Sequence, residues 1–223
     1  MNKDIIPQAG SDEVGTGDTF GPIVVVCAIV EDKDASLLDE LNIRDSKELT
    51  DNQILYIGDK LIKNIKHSFI MLKNNAYNKA TLSYNLNEIK ATLHNLCYIN
   101  LRTKYNFLPE LCVIDQFCSE ENYYKYLESN KEIKEIFRDV KLETKAENKY
   151  IAVAVASIIA RYYFVKEFNE ICNKYNMELA KGSSNPILEK QIIEIINKYG
   201  KDELNNVAKL HFKNVKKILN ENI

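Results

Sequence analysis

At 223 residues, 45% apolar and 28% charged, the chain is long enough to bury a substantial core, as one large domain or two small ones. A formal net charge of −2 and a pI near 6.0 argue against a protein coated in basic charge, so a nucleic-acid partner would have to be held by a local patch. Met1 to Ala9 is polar, without the apolar core of a secretory signal. The longest near-continuous apolar stretch, Tyr150 to Ala160, falls well short of the ~20 residues that span a bilayer. No membrane association is therefore expected. Cys27, Cys97, Cys112, Cys118 and Cys172 contain no C-x-x-C pair, which points to reduced thiols in a cytoplasmic protein. His67, His94 and His211 are not paired at ligand spacing, which disfavours zinc.

In chain order, Gln8 to Val14 and Ile23 to Val30 are expected strands joined by a glycine turn. The second has almost no alternation, as a strand covered on both faces should. Asp34 to Leu41 reads as a short helix with Asp34 near its cap. After a polar connection, Arg44 to Leu49, Thr50 caps a helix reaching about Ile62. Lys66 to Leu72 is an expected strand ended by Asn74-Asn75, and Asn85 to Tyr105 a long helix. Leu111 to Ile114 is a short strand that stops on Asp115. Helical material follows from Glu120 to about Leu127 and again around Ile133, and Phe137 to Leu142 is expected to be another strand. Asn148 to Tyr175 is the longest helix, and its Ala152, Ala154, Ala156, Ser157 and Ala160 let it lie close against a sheet. Lys181 to Pro186 is a loop, and two or three helices complete the chain. The absence of repeats and linkers predicts one α/β domain over 1–223, a mixed sheet flanked by helices, with a helical portion from about 186.

The chemistry-bearing residues fall at the ends of these elements. Asp12 and Glu13 close the first strand, Asp115 closes the Leu111 strand, and Glu147 precedes the long helix. Taken singly, each has an ordinary structural role: a solvated turn, a strand-end turn former, an acid answering a helix dipole. Taken together, at one edge of an α/β sheet, they would form a four-carboxylate cluster suited to magnesium or manganese. One tension is geometric: neighbouring residues on a strand point to opposite faces, so Asp12 and Glu13 cannot both aim at one ion unless the strand ends or twists there. The glycines Gly15, Gly17 and Gly21 do not have G-x-G-x-x-G spacing, and an Asp-Glu pair before the turn would repel a pyrophosphate, which disfavours a dinucleotide site.

The run Gly10-Ser11-Asp12-Glu13-Val14-Gly15-Thr16-Gly17-Asp18, then Phe20-Gly21-Pro22, Asp45-Ser46-Lys47 and Ile114-Asp115-Gln116-Phe117, resembles bacterial ribonuclease HIII, of the type 2 ribonuclease H family. So do Lys145-Ala146-Glu147, Val153 to Arg161 and Lys209-Leu210-His211-Phe212, so that the likeness spans Ala9 to Ile218. Ribonuclease HII shows Arg where Thr16 stands and usually Asp where Glu147 stands. The resemblance implies an RNase H-like fold with a five-stranded central sheet, and cleavage of the RNA strand of RNA–DNA hybrids. It implies Asp12, Glu13, Asp115 and Glu147 as catalytic, metal-holding acids for two divalent ions, Mg2+ or Mn2+, with 5′-phosphate and 3′-hydroxyl products. Family members usually carry an N-terminal substrate-binding domain, whereas nine residues precede Gly10 here.

For the substrate, Gly15, Thr16 and Gly17 are expected to contact the RNA backbone and its 2′-hydroxyl. Lys47, Lys145 and Lys181 are expected phosphate contacts, each with the alternative of a solvated surface lysine. Lys209, Lys213, Lys216 and Lys217 are expected to form a basic stripe on an amphipathic helix, either solvated or nucleic-acid binding. His211 is expected to be packed rather than catalytic, and Arg161 to pair with an acid. Two other functions are compatible with the residues: incision beside a single ribonucleotide embedded in DNA, as in ribonuclease HII, and a catalytically silent hybrid-binding module. A monomer is expected.

Overall fold

The computed structural model describes residues 7–43 and 49–221. Five strands form one sheet in the order β3-β2-β1-β4-β5, where β1 is Gln8–Val14, β2 Ile23–Val30, β3 Lys66–Leu72, β4 Leu111–Asp115 and β5 Lys141–Glu143. β1 runs parallel to β4, with Ser11 beside Ile114, and β4 runs parallel to β5, with Asp115 beside Glu143. Every residue of β2 is fully buried, as its unbroken apolar run requires. The helices are α1 (Ala35–Glu40), α2 (Asp51–Asn64), α3 (Asn74–Ala80), α4 (Leu86–Tyr105), α5 (Glu120–Ser129), α6 (Ile151–Tyr175), α7 (Ile187–Tyr199), α8 (Leu204–Val207) and α9 (Lys213–Glu221). Among the described residues no helix is long and apolar enough to cross a membrane.

The expected mixed five-stranded sheet with flanking helices is present, and the local signals explain most of its boundaries. Thr50 and Asn85 cap α2 and α4 with complete capping boxes, their side chains accepting from the amides of Gln53 and Glu88. Four expectations need correction. Phe137 to Leu142 is not a six-residue strand. The Phe137 amide donates to the Asn95 side chain, and the Glu135 carbonyl accepts from it, so this stretch bonds to α4 instead of joining a ladder, and β5 begins only at Lys141. No helix forms around Ile133, because the Asn130 side chain accepts from the Glu132 amide and turns the chain. Asn74 does not merely end β3: it starts α3. The longest helix begins at Ile151, after a 3-10 turn over Ala146–Asn148.

The chain divides into two compact units. The first comprises Met1–Glu13, Val25–Ile70 and Asn85–Tyr162 and holds most of the sheet together with α1, α2, α4, α5 and the first half of α6. Here α6 lies directly on β1. A Cβ added to Gly10 would stand 2.2 Å from the Val153 nitrogen and 2.4 Å from the Ala152 carbonyl carbon, so only glycine admits the helix at this distance. The second comprises Val14–Val24, Met71–Tyr84 and Tyr163–Ile223, built from the glycine turn, α3, the end of α6 and α7 to α9.

Candidate active site

Strand alternation sorts the residues at the end of β1. Gly10 and Asp12 face α6, where the Asp12 carboxylate accepts from Ser157. Ser11 and Glu13 face α4. One step beyond the registered pair Ser11 and Ile114 come Asp12 on β1 and Asp115 on β4, at the carboxyl ends of adjacent parallel strands. This is where an open α/β sheet collects functional side chains.

The acids are in different electrostatic situations. Burial, then the charges of Glu13 and Asp115, push the Asp12 carboxyl up to about 7, against the opposing bonds from Ser157 and from the Glu13 amide at 2.8 Å. Burial also raises Asp115, with Glu147 and Glu13 adding to it, although the Ala146 amide donates to its carboxylate at 2.8 Å. That amide opens the 3-10 turn carrying Glu147, so a single bond ties the end of β4 to the fourth acid. Lys145 begins the turn in the left-handed region, with φ of 52°. Glu147 accepts from the Asn148 side chain at 3.2 Å.

Glu13 behaves in the opposite way. Burial alone would raise its carboxyl, but bonds and charge from His94 and Lys90 outweigh this and hold it below the usual carboxylate range. His94 Nε2 lies 3.0 Å from Glu13 Oε2, and its Nδ1 lies 2.6 Å from Ser11 Oγ. Lys90 pairs with Glu13 Oε1. Its ammonium also lies 4.2 Å from the centre of the Phe117 ring, which stacks on His94 at 5.4 Å. The geometric tension in the Asp12-Glu13 pair is thus present in the structure: alternation holds, one acid faces α6 and the other α4, and the two do not aim at one point as they stand.

The donor chemistry fits hard divalent cations. Asp12 and Asp115 are oxygen donors pushed up by burial and by neighbouring acids, and a cation would relieve both effects. Among the described residues, no three His, Cys, Asp or Glu side chains are spaced to enclose one ion as they stand, Glu13 being drawn toward Lys90 and His94.

The expected substrate residues are distributed as follows. Gly15 has φ of 92°, and a Cβ there would lie 2.1 Å from the Pro22 carbonyl oxygen. Thr16 is half-buried and Gly17 exposed, and all three belong to the second unit. Lys145 is exposed in the first unit. Lys181, in the second, lies 5.5 Å over the Phe168 ring, and the adjacent Gly182 amide donates to Asp18 Oδ1 at 2.6 Å. Lys47, with Asp45 and Ser46, lies outside the described residues.

The expected basic stripe loses a member. Lys209 is fully buried and its ammonium donates to the carbonyls of Asp18, at 2.8 Å, and Gly21, at 2.5 Å. Burial pushes it down to about 7, with the charge of Asp18 opposing. Its backbone amide donates to the Thr19 carbonyl at 2.8 Å, and Asn214 donates to Thr19 Oγ1 at 3.1 Å, so the C-terminal segment straps the far end of the glycine turn. His211 is exposed and not packed in the core as expected, although its ring lies 4.4 Å from Phe212 and its Nδ1 3.2 Å from the Tyr77 hydroxyl. Arg161 donates to the Leu49 carbonyl at 2.8 Å, with Asp51 adding a favourable charge.

Sequence reasoning missed Lys90 and His94. The available signal was their i, i+4 spacing on a helix stripe otherwise built from Ile89, Leu93 and Cys97: a polar pair on a buried face needs a partner.

The family model described as ribonuclease HII matches residues 9–215. The curated ribonuclease HIII of Bacillus thuringiensis subsp. konkukian is 43% identical over 210 residues, 93% of this chain and 67% of that protein. A Bacillus anthracis ribonuclease HIII matches at the same identity and coverage. Among solved structures, Bst-RNase HIII in complex with Mn2+ superposes with a TM-score of 0.91 at 36% identity, covering 98% of this chain and 70% of that one. Aquifex aeolicus RNase H3 superposes with a TM-score of 0.74 at 26% identity, covering 94% of this chain and 74% of that one. With the expected fold present and the matched residues running from Ala9 in β1 to Val215 in α9, the chain belongs to the ribonuclease HII family, among the members named ribonuclease HIII, and is a ribonuclease H.

Proposed function

We propose that the protein cleaves the RNA strand of RNA–DNA hybrids, with Asp12, Glu13, Asp115 and Glu147 as the acids that hold divalent cations. The observation carrying this reading is the pair Asp12 and Asp115, raised by burial and by neighbouring acids at the ends of two adjacent parallel strands. Two bound ions, Mg2+ or Mn2+, would supply an activated water and a stabilised leaving 3′-oxygen for in-line displacement, giving 5′-phosphate and 3′-hydroxyl ends. The neighbour solved with Mn2+ supports a divalent requirement.

The chain's own residues then have distinct tasks. Ser157 orients Asp12, the Ala146 amide orients Asp115 and brings Glu147 beside it, and Lys90 and His94 fix Glu13. Gly15, Thr16 and Gly17 present turn amides and a hydroxyl to the RNA backbone and its 2′-hydroxyl. Lys145 and Lys181 supply charge to phosphates.

The test is cleavage of a uniformly labelled hybrid with Mg2+, with Mn2+ and with chelator, the parent beside Asp115→Asn. Metal-dependent cutting that disappears in the variant supports the reading; undiminished cutting by Asp115→Asn removes the cluster from the mechanism. The matching family model bears the ribonuclease HII name, so a duplex carrying one embedded ribonucleotide belongs in the same experiment. Preferential incision there would replace the full-hybrid assignment, and hybrid retention without any cutting would favour a binding module.

A further inference from the structure

Glu13 differs from Asp12 and Asp115 in that a cation of the chain itself, Lys90, answers its charge, with His94 as a second partner. Both carboxylate oxygens are engaged, Oε1 by Lys90 and Oε2 by His94. The Glu13 and Lys90 side chains are only 11% and 10% exposed, and His94 is fully buried. The Lys90 ammonium is bounded on another side by the Phe117 ring, two residues beyond Asp115. His94 is fixed in turn by Ser11 and by stacking on Phe117.

We propose that Lys90 is a resident counter-cation on Glu13, which a divalent ion must displace from Oε1 before Glu13 can join Asp12 and Asp115, and that His94 is the positioning residue that retains Oε2 during the exchange. This rests on the reading of Glu13 as a metal ligand. In the metal-free protein the buried carboxylate without Lys90 would keep only the His94 contact and lose the cation on Oε1, so the lysine stabilises the fold. When an ion approaches, the same ammonium repels it and competes for the same oxygen. Lys90 therefore keeps Glu13 ordered at the expense of metal affinity.

The test is calorimetric Mn2+ titration of the folded, hybrid-free protein. Lys90→Gln and Lys90→Met are expected to bind Mn2+ about 10-fold more tightly than the parent, because a positive charge has been removed beside the ion. Their urea midpoints are expected to fall. A merely structural lysine would lower both quantities. Lys90→Arg, which keeps the charge, is expected to retain parental affinity. Unchanged or weaker Mn2+ binding in the neutral variants, with native circular dichroism, overturns the proposal.

A second measurement needs no variant. Amine labelling of the parent, read by mass spectrometry, is expected to modify Lys90 faster in saturating Mg2+ than in chelator, and equal rates overturn the exchange. Glu13→Gln separates the two levels of argument. Parental Mn2+ affinity in Glu13→Gln would remove Glu13 from the ligand set, and this proposal with it. Weakened affinity there, combined with no effect of neutralising Lys90, would overturn the counter-cation alone.

Discussion

Gly10 and Val153 are in backbone contact: a methyl group at Gly10 would stand 2.2 Å from the Val153 nitrogen and 2.7 Å from its Cα. This contact sets the distance between β1 and α6, and therefore whether Ser157 can reach Asp12, two residues along the same face of the strand.

Gly10→Ala is expected to destabilise the protein by about 2–4 kcal/mol, since the clashing atoms are backbone and cannot rotate away. Urea unfolding measures it. Cleavage should fall further than the folded fraction does, because α6 carries Ser157 away from Asp12.

Asp115→Asn and Asp12→Asn are expected to abolish cleavage while leaving hybrid affinity equal or tighter, since less negative charge then faces the phosphates. In chelator the same variants should melt at a higher temperature than the parent, by about 1 kcal/mol of relieved repulsion and desolvation. Equal loss of binding and cleavage would point to a structural role for these acids.

His94→Ala is expected to cost about 2–4 kcal/mol, because Ser11 Oγ and Glu13 Oε2 each lose a buried partner. His94→Gln, which can restore one of the two bonds, should recover part of that loss. Indistinguishable urea midpoints for the parent and the Ala variant would show that this buried relay contributes nothing to stability.

Lys209 predicts a pH dependence. Its folded pKa is pushed down to about 7, below the ordinary lysine value of 10.5. Between those values the unfolded chain holds a proton that the folded chain has released, so stability rises with pH across this window. The slope from this group approaches about 1.4 kcal/mol per pH unit. Comparing the parent with Lys209→Met from pH 7 to 8.5 isolates it: the parent should gain stability relative to the variant. Parallel curves would mean that the two carbonyls keep Lys209 charged. Because Lys209 straps the turn at Asp18 and Gly21, the variant should also raise KM for the hybrid more than it lowers kcat.

What the sequence determined by itself was local or carried by residue type. An unbroken apolar run made β2 a buried strand, capping boxes at Thr50 and Asn85 started α2 and α4, and acids at the ends of β1 and β4 marked the candidate site. The motif order from Gly10 to Phe212 carried the family resemblance. What only the tertiary structure decided depended on partners distant in sequence. Asn95, in α4, captures the stretch before β5 and shortens that strand. Lys209 reads as one more residue of a basic helix face until its ammonium is found on carbonyls of a turn some 190 positions earlier. Periodicity could show that Asp12 and Glu13 point to opposite faces, but not that Ser157 waits on one and Lys90 and His94 on the other. The cost of burying a charge is fixed by residue type, whereas the group that answers it is chosen by the fold.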